Sequence, residues 1–250
     1  ISLGLVGSEM CIRDRIYNVA SFTKPAGDLP SLLTIDEART MYHEFGHALH
    51  GLLTQCKYKG VSGTSVAQDF VELPSQIMEH WAVEPEVLKM YAKHYQTREA
   101  IPDSLIAKIE NQALFNQGFM TTELLAAAIL DMEMHCLTTM EGFDVLQFEK
   151  QLMDKLGLIP QIAPRYRSTY FNHIMGGYAA GYYSYIWAER LDTDAFEAFK
   201  EHGLFDQATA TSFRKNILEK GGSDDPMKLY VTFRGAEPSL DALLKTRGLK

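Results

Sequence analysis

The sequence predicts a mainly α-helical protein with a small β hairpin or edge strand. Apolar residues recur every three to four positions from Leu33 onward, and strict alternation of apolar and polar residues is nearly absent. The 250 residues are 46% hydrophobic and 22% charged, a composition typical of folded globular chains that bury a core. We therefore expect helices packed on helices over most of the chain.

The first helix has the clearest start signal. Thr34 and Glu37 have the spacing of a capping box, in which each side chain bonds the backbone amide of the other residue. The apolar positions that follow at helical spacing continue as far as Leu52. This pattern predicts a helix that begins after Thr34 and ends at about Thr54.

The segment 57–66 is rich in Tyr, Val, Thr and Gly, and glycines at positions 60 and 63 punctuate it. It is predicted to form a short hairpin or an extended loop, and the only strands expected are there. Helical segments are expected at 69–81, 85–95, 102–116, 121–138, 144–156, 177–190, 195–202, 206–220 and 225–234, with 239–246 closing the chain.

Residues 16–250 are predicted to form one domain, because no repeat, low-complexity tract or shift in composition marks a second one. Residues 1–15 lack an initiating Met and a basic region, and they resemble a translated sequencing adapter. We treat them as a non-native leader.

Composition excludes several classes of function. The formal net charge of −8 has the wrong sign for a surface that binds nucleic acid. The three cysteines show no paired spacing, so neither a disulfide framework nor a thiolate zinc site is expected. Such cysteine usage predicts a reducing, cytoplasmic location. Apolar runs are shorter than a bilayer span needs, so no membrane anchor is expected.

The chemistry is concentrated in the run HEFGHALH at positions 43–50. His43 and His47 lie four residues apart on one helix face, where two imidazoles can share one metal ion. Glu44 lies beside the first of them, where a carboxylate can take a proton from water. The alternative is an amphipathic helix whose polar face happens to carry these three side chains.

A hydrolytic zinc site needs a third protein ligand. Position 53 is Leu, so a third histidine at the metzincin spacing is absent. Glu72 is the best carboxylate donor, at the start of a separate predicted helix. From spacing alone, a glutamate placed there for the helix dipole is an equally good interpretation.

The motifs resemble the signature of the thimet oligopeptidase family of zinc metallopeptidases. In that signature HExxHxxH is followed by Gly, Asp, Glu, Pro-Ser and Glu at fixed intervals, as in Gly63 and the run DFVELPSQIME at 69–79. The resemblance extends over 16–250 and is greatest to bacterial peptidyl-dipeptidases. It implies a zincin-type helical catalytic domain that forms the C-terminal part of a longer enzyme, without its N-terminal region.

The resemblance also implies roles for individual residues. One Zn²⁺ per chain is expected, with the metal ligands His43, His47 and Glu72 and with Glu44 as the catalytic base. Three further side chains are expected to contact substrate or to stabilise the tetrahedral intermediate: His173, Tyr178 and Tyr185. Without the resemblance, aromatic core packing is the better interpretation of this tyrosine-rich segment.

The predicted function is hydrolysis of short peptides, with release of C-terminal dipeptides. Internal cleavage by an oligopeptidase-like endopeptidase and a zinc-binding but inactive fragment are the alternatives. The expected partners are peptide substrates and the missing N-terminal region, and the chain is expected to be a monomer.

Asp69 and Glu79 are candidates for orienting the ligand imidazoles through hydrogen bonds. The alternative is that each of them is a helix cap or lies on a solvated helix face.

Overall fold

The computed structural model describes residues 16–250, so the leader predicted at 1–15 lies outside the described residues. Within the described part, helices dominate and the only strand-like pairing is a single bridge between Lys93 and Ala100. The ten α-helices are α1 (Ile35–Leu53), α2 (Leu73–Val83), α3 (Pro85–Tyr91), α4 (Asp103–Ala113), α5 (Gln117–His135), α6 (Val145–Lys155), α7 (Ser184–His202), α8 (Gln207–Phe213), α9 (Pro226–Arg234) and α10 (Asp241–Thr246). The mainly α-helical class is confirmed.

The capping box that starts α1 is confirmed. The amide of Glu37 donates to the hydroxyl of Thr34 over 3.1 Å, and the amide of Thr34 donates to the Glu37 carboxylate over 2.8 Å. Glu37 also accepts bonds from the hydroxyl and the amide of Thr23, which tie the preceding segment to the helix start. These hydrogen bonds, with that from the Thr23 hydroxyl first, lower the pKa of Glu37 to about 2.

Of the two alternatives predicted at 57–66, the hairpin or edge strand is wrong, since this segment forms loops around a short 3₁₀ helix. Its backbone bonds a distant loop instead, because the amide of Gly222 donates to the carbonyl of Val61 over 2.8 Å. Gly221 has φ +49°, and a Cβ there would lie 2.4 Å from the same carbonyl. The segment therefore satisfies its hydrogen bonds without a second strand.

The separate helices predicted on either side of positions 191–194 form the single helix α7. Tertiary partners satisfy the polar side chains of 191–194 within this helix. Asp192 lies 2.5 Å from Nε2 of His80, and the hydroxyl of Tyr230 donates to Asp194 over 2.7 Å. Because these two buried carboxylates have partners, the helix continues through 191–194, where the sequence predicted an interruption.

The chain divides into two compact units, each with its own core. The described residues of the first unit are 16–112 and 188–250, and the second unit is 113–187. The first core is built mainly from α2, α7, α8, α9 and the π-helical turn Arg214–Leu218. Its buried members are Phe70, Leu73, Ile77, Leu191, Ala195, Phe196, Phe199, Phe213, Ile217, Leu218, Leu229 and Tyr230.

The second unit has a smaller core that joins α5 to the segment before α7. Its buried residues are Leu124, Ala127, Ala128, Phe171, Ile174 and Tyr182. The rings of Phe171 and Tyr182 meet edge to face with their centroids 4.9 Å apart, a favourable aromatic geometry. This packing holds the 3₁₀ helix Asn172–Met175 against α5.

No single helix in the described part of the chain has the length and apolar composition to cross a membrane. Taken together, the consecutive helices α4 and α5 pass that test by length and composition alone.

In the first unit, α1 approaches the start of α2 backbone to backbone at Gly46. A Cβ at this position would lie 2.2 Å from the carbonyl oxygen of Pro74 and 2.6 Å from Cα of Ser75. Real Cβ atoms do not come this close, so only glycine permits the observed separation of the two helices. The contact places the face of α1 around Gly46 beside the residues that precede α2.

Replacing Gly46 by Ala is expected to lower the free energy of unfolding by about 1–3 kcal/mol, because the added methyl group forces α1 and α2 apart. Thermal unfolding followed by circular dichroism measures this as a midpoint lowered by several degrees. The matched control is Gly60→Ala, since a Cβ at Gly60 meets nothing within 4 Å. Equal midpoints for the two variants would show that the close approach does not limit stability.

Candidate metal centre

Three predicted site residues of the first unit come together where α1 meets the start of α2. Nε2 of His43 and Nε2 of His47 lie 3.3 Å and 3.2 Å from the same carboxylate oxygen of Glu72. Each residue offers one ligand atom, and these three atoms all lie within 4.8 Å of one another. Among the described residues this is a group that can hold a metal ion.

Helix geometry accounts for the arrangement. The two histidines are four residues apart on α1, so their rings lie on one face with centroids 5.0 Å apart. Glu72 is the residue immediately before α2, and the hydroxyl of Ser75 in the first turn donates to its carboxylate over 2.8 Å. Each donor is therefore fixed by a helix or by the turn that leads directly into one.

The electrostatics of the group keep Glu72 ionised. Burial of Glu72, which is only 1% exposed, raises its pKa, but hydrogen bonds from His43 and His47 outweigh burial and hold the pKa well below its usual value. Burial lowers the pKa of His43, but hydrogen bonds to Glu72 and Glu79 outweigh the effect of burial and raise this pKa to about 10. A buried carboxylate that stays ionised is a strong ligand for a positive charge.

Glu79, one of the two residues proposed to orient an imidazole, contacts His43. Its carboxylate accepts a hydrogen bond from Nδ1 of His43 over 2.8 Å, which leaves Nε2 directed at Glu72. A carboxylate on the far nitrogen is the usual companion of a metal-bound histidine. Nδ1 of His47 is buried and has no hydrogen-bond partner in the described part of the chain. The orienting role predicted for Asp69 stays a prediction.

The remaining polar residues of this helix face differ in their surroundings. Glu44, beside His43 on α1, is buried. His50 is fully buried one turn after His47, and burial together with the charge of His47 lowers its pKa to about 3. His50 is therefore neutral and lies outside the three-residue group.

The second unit brings together the three other predicted site residues. Tyr178 and Tyr185 stack with centroids 5.3 Å apart and planes 9° apart, and the ring of His173 lies 6.0 Å from each. His173 comes from the 3₁₀ helix, Tyr185 from the first turn of α7, and Tyr178 from the loop at 176–183 between them. We call these three side chains the aromatic triad.

Two neighbouring tyrosines lie differently. Tyr182 is buried in the core of the second unit, and burial raises its pKa. Tyr183 is 37% exposed. One of the pair therefore packs inside and the other faces outward.

The helix predicted to begin at 177 begins at Ser184, because amides of the 176–183 loop donate to Asp131, a residue that was not among the predicted site residues. Asp131 of α5 is fully buried, and its carboxylate accepts the amides of Ala180 and Tyr182 over 2.9 Å each. These bonds hold the loop in turns instead of helix. The available signal was an aspartate directly after the apolar run that ends at Leu130.

Known proteins resemble this chain over most of its length. Dipeptidyl carboxypeptidase of Escherichia coli (strain K12) is 47% identical over 237 residues, and oligopeptidase A of Salmonella typhimurium (strain LT2) is 40% identical over 237 residues. Each match covers 94% of this chain and 35% of the relative. A thimet-like oligopeptidase of Dictyostelium discoideum is 32% identical over 249 residues, which cover 97% of this chain and 37% of that protein.

The chain therefore spans little more than a third of the length of these relatives. The sequence profile of Peptidase family M3 matches residues 5–249. That match includes both helices of the metal-binding group and the whole of the aromatic triad. The resemblance predicted from HEFGHALH and DFVELPSQIME is confirmed, and the chain belongs to Peptidase family M3.

Proposed function

We propose that this chain is the catalytic part of a zinc metallopeptidase that hydrolyses short peptides by releasing C-terminal dipeptides. The observation that carries the proposal is the group His43, His47 and Glu72, with its three ligand atoms within 4.8 Å of one another. Membership of Peptidase family M3 supports peptide hydrolysis. The identity of 47% to a dipeptidyl carboxypeptidase supports dipeptide release.

The donor set fits zinc. Catalytic zinc sites use three protein ligands, and two imidazoles with one carboxylate form a common set. Their atoms are gathered by helices, and Glu79 orients one imidazole, as metal-bound histidines require. We assign one Zn²⁺ per chain to these three residues.

Zinc held by these residues would act as a Lewis acid and would lower the pKa of a bound water, so that its hydroxide form would be available near neutral pH. Glu44 takes the proton of the attacking water on its carboxylate and passes it to the amine that leaves. The phenols of Tyr178 and Tyr185 and the imidazole of His173 are proposed as hydrogen-bond donors to the developing oxyanion. Their clustering as the aromatic triad supports this common role.

Internal cleavage of oligopeptides is the second candidate function. It is favoured by the identity of 40% to an oligopeptidase A, which is not far below that to the dipeptidyl carboxypeptidase. Both candidates use the same metal ligands and base. They differ in whether the free C-terminal carboxylate of the substrate is required.

We further propose that this catalytic part acts as a monomeric enzyme together with a further N-terminal region, as the greater length of its relatives supports. Large apolar side chains of the second unit are exposed between α4 and α5, led by Phe115 at 73%. Exposed apolar surface of this kind is typical of an interface. Leu114 and, in the first turn of α5, Phe119 and Met120 are exposed beside it.

Replacing Glu72 by Ala is expected to abolish stoichiometric zinc binding, because two imidazoles alone leave the site without its only anionic ligand. Plasma mass spectrometry of dialysed protein should find one zinc per wild-type chain and less than about 0.1 in the variant. Glu86→Ala is the matched control, since Glu86 lies exposed in the first turn of α3. Retention of a full equivalent by the Glu72 variant would exclude this ligand set.

Replacing Glu44 by Gln is expected to leave zinc content unchanged and to lower kcat by a factor of about 10²–10⁴, because the amide cannot accept the proton of water. Hydrolysis of a quenched fluorescent peptide measures kcat, and metal analysis on the same sample gives the zinc content. Undiminished turnover by a zinc-loaded variant would contradict the role of Glu44.

Dipeptide release predicts that an N-blocked octapeptide loses its last two residues only when its C-terminus is a free carboxylate. Mass spectrometry of the products from the free acid and from the C-terminal amide distinguishes the two candidate functions. Internal cuts in both peptides would establish the endopeptidase instead. Intact peptides with bound zinc would indicate an inactive fragment, and restored activity on adding an N-terminal region would confirm that outcome.

A further inference from the structure

We infer that Asp131 is a positioning residue for peptide hydrolysis, because it holds the loop that carries Tyr178. The inference rests on the proposed function, in which the aromatic triad stabilises the oxyanion. Asp131 itself contributes no group to the triad. It acts through the backbone of the 176–183 loop.

Both oxygens of the Asp131 carboxylate are engaged by the loop. Oδ1 accepts the amide of Ala180 and Oδ2 accepts the amide of Tyr182, each over 2.9 Å. Nδ1 of His135, one turn later on α5, lies 2.9 Å from the same Oδ1. A fully buried carboxylate with these three partners ties the loop to a long helix.

The loop needs such a tie because its sequence gives it little rigidity of its own. Gly176, Gly177 and Gly181 allow many backbone conformations. Ala180 has φ +52°, in the left-handed region that residues with a Cβ rarely adopt. The bond from its amide to Asp131 holds this residue in that conformation.

The anchored amides flank the triad in sequence. Tyr178 lies two residues before the first anchored amide, and Tyr182 is itself packed in the core. The ring of Tyr178 stacks on Tyr185 and contacts His173 only while the backbone of the 176–183 loop keeps its conformation. Asp131 therefore controls where the phenol of Tyr178 is presented.

A carboxylate is required at this position because two amides donate to it from different directions. An asparagine offers one acceptor oxygen, and its NH₂ group would face the second amide, donor against donor. The Asp131→Asn variant keeps the volume of the side chain and removes one anchor. The Asp131→Glu variant restores both acceptors on a longer stem.

The test compares kcat and KM of the zinc-loaded wild type with those of Asp131→Asn, Asp131→Glu, Tyr178→Phe and the double variant Asp131→Asn with Tyr178→Phe. The substrate is the N-blocked octapeptide acid. The matched control is Glu149→Gln, because Glu149 is also a buried carboxylate of the second unit, and it accepts the amide and hydroxyl of Ser168. Hydrogen exchange over 176–183 is measured by mass spectrometry on each variant.

We expect Asp131→Asn to lower kcat about 10- to 100-fold with KM changed less than about twofold, because misplacing an oxyanion donor weakens only the transition state. The double variant should be no slower than the slower single variant, since both changes remove the same contribution. Asp131→Glu should recover part of kcat. Exchange over 176–183 should accelerate in Asp131→Asn and not in Glu149→Gln.

Three results would overturn the inference: an unchanged kcat in Asp131→Asn, effects that multiply in the double variant, or an equal loss of kcat in Glu149→Gln. The last result would show that any lost buried carboxylate damages the unit. A wild type that hydrolyses nothing even when an N-terminal region is supplied would overturn the proposed function, and the catalytic role of Asp131 with it. An active wild type beside an unimpaired Asp131 variant overturns this inference alone.

Discussion

The metal-binding group depends on one steric constraint, the backbone contact between α1 and α2 at Gly46. Without a Cβ there, α1 comes close enough to Pro74 for Glu72 to reach the imidazoles of His43 and His47. Glycine in a helix interior costs about 1 kcal/mol relative to alanine. The cost is offset because the contact brings an ionised carboxylate within 3.3 Å of two histidines.

Buried carboxylates with hydrogen-bond partners recur in the described part of this molecule. Glu72 faces the imidazoles in the first unit, while Asp131 and Glu149 of the second unit bond backbone amides of the loops before α7. Asp192 and Asp194 similarly fix α7 to His80 and Tyr230. Burying a charge is costly unless it is paired and hydrogen-bonded, so each of these carboxylates defines one arrangement of its partners. These carboxylates fix segments whose conformation helix packing alone does not determine.

The sequence predicted the features that depend on local spacing. The capping box at Thr34, the extent of α1 and the common face of His43 and His47 follow from intervals of three and four residues, and the structure reproduces them. The hairpin at 57–66 failed because its hydrogen-bond partners lie more than 150 residues away, around Gly222. No local pattern contains such a partner.

The metal-binding group and the aromatic triad are held in place in different ways. This difference explains why residue spacing indicates the first group and not the second. Helices hold His43, His47 and Glu72, so their geometry appears as fixed spacing. Tyr178 lies on a glycine-rich loop, whose conformation is set by hydrogen bonds that its amides donate to a carboxylate on a helix about fifty residues earlier. For such a loop, only the resemblance to a known family pointed to the side chains, and the residue that orders them is found only from its buried contacts. Asp131 carries no motif, and its proposed role follows from its complete burial and from the two amides that donate to it.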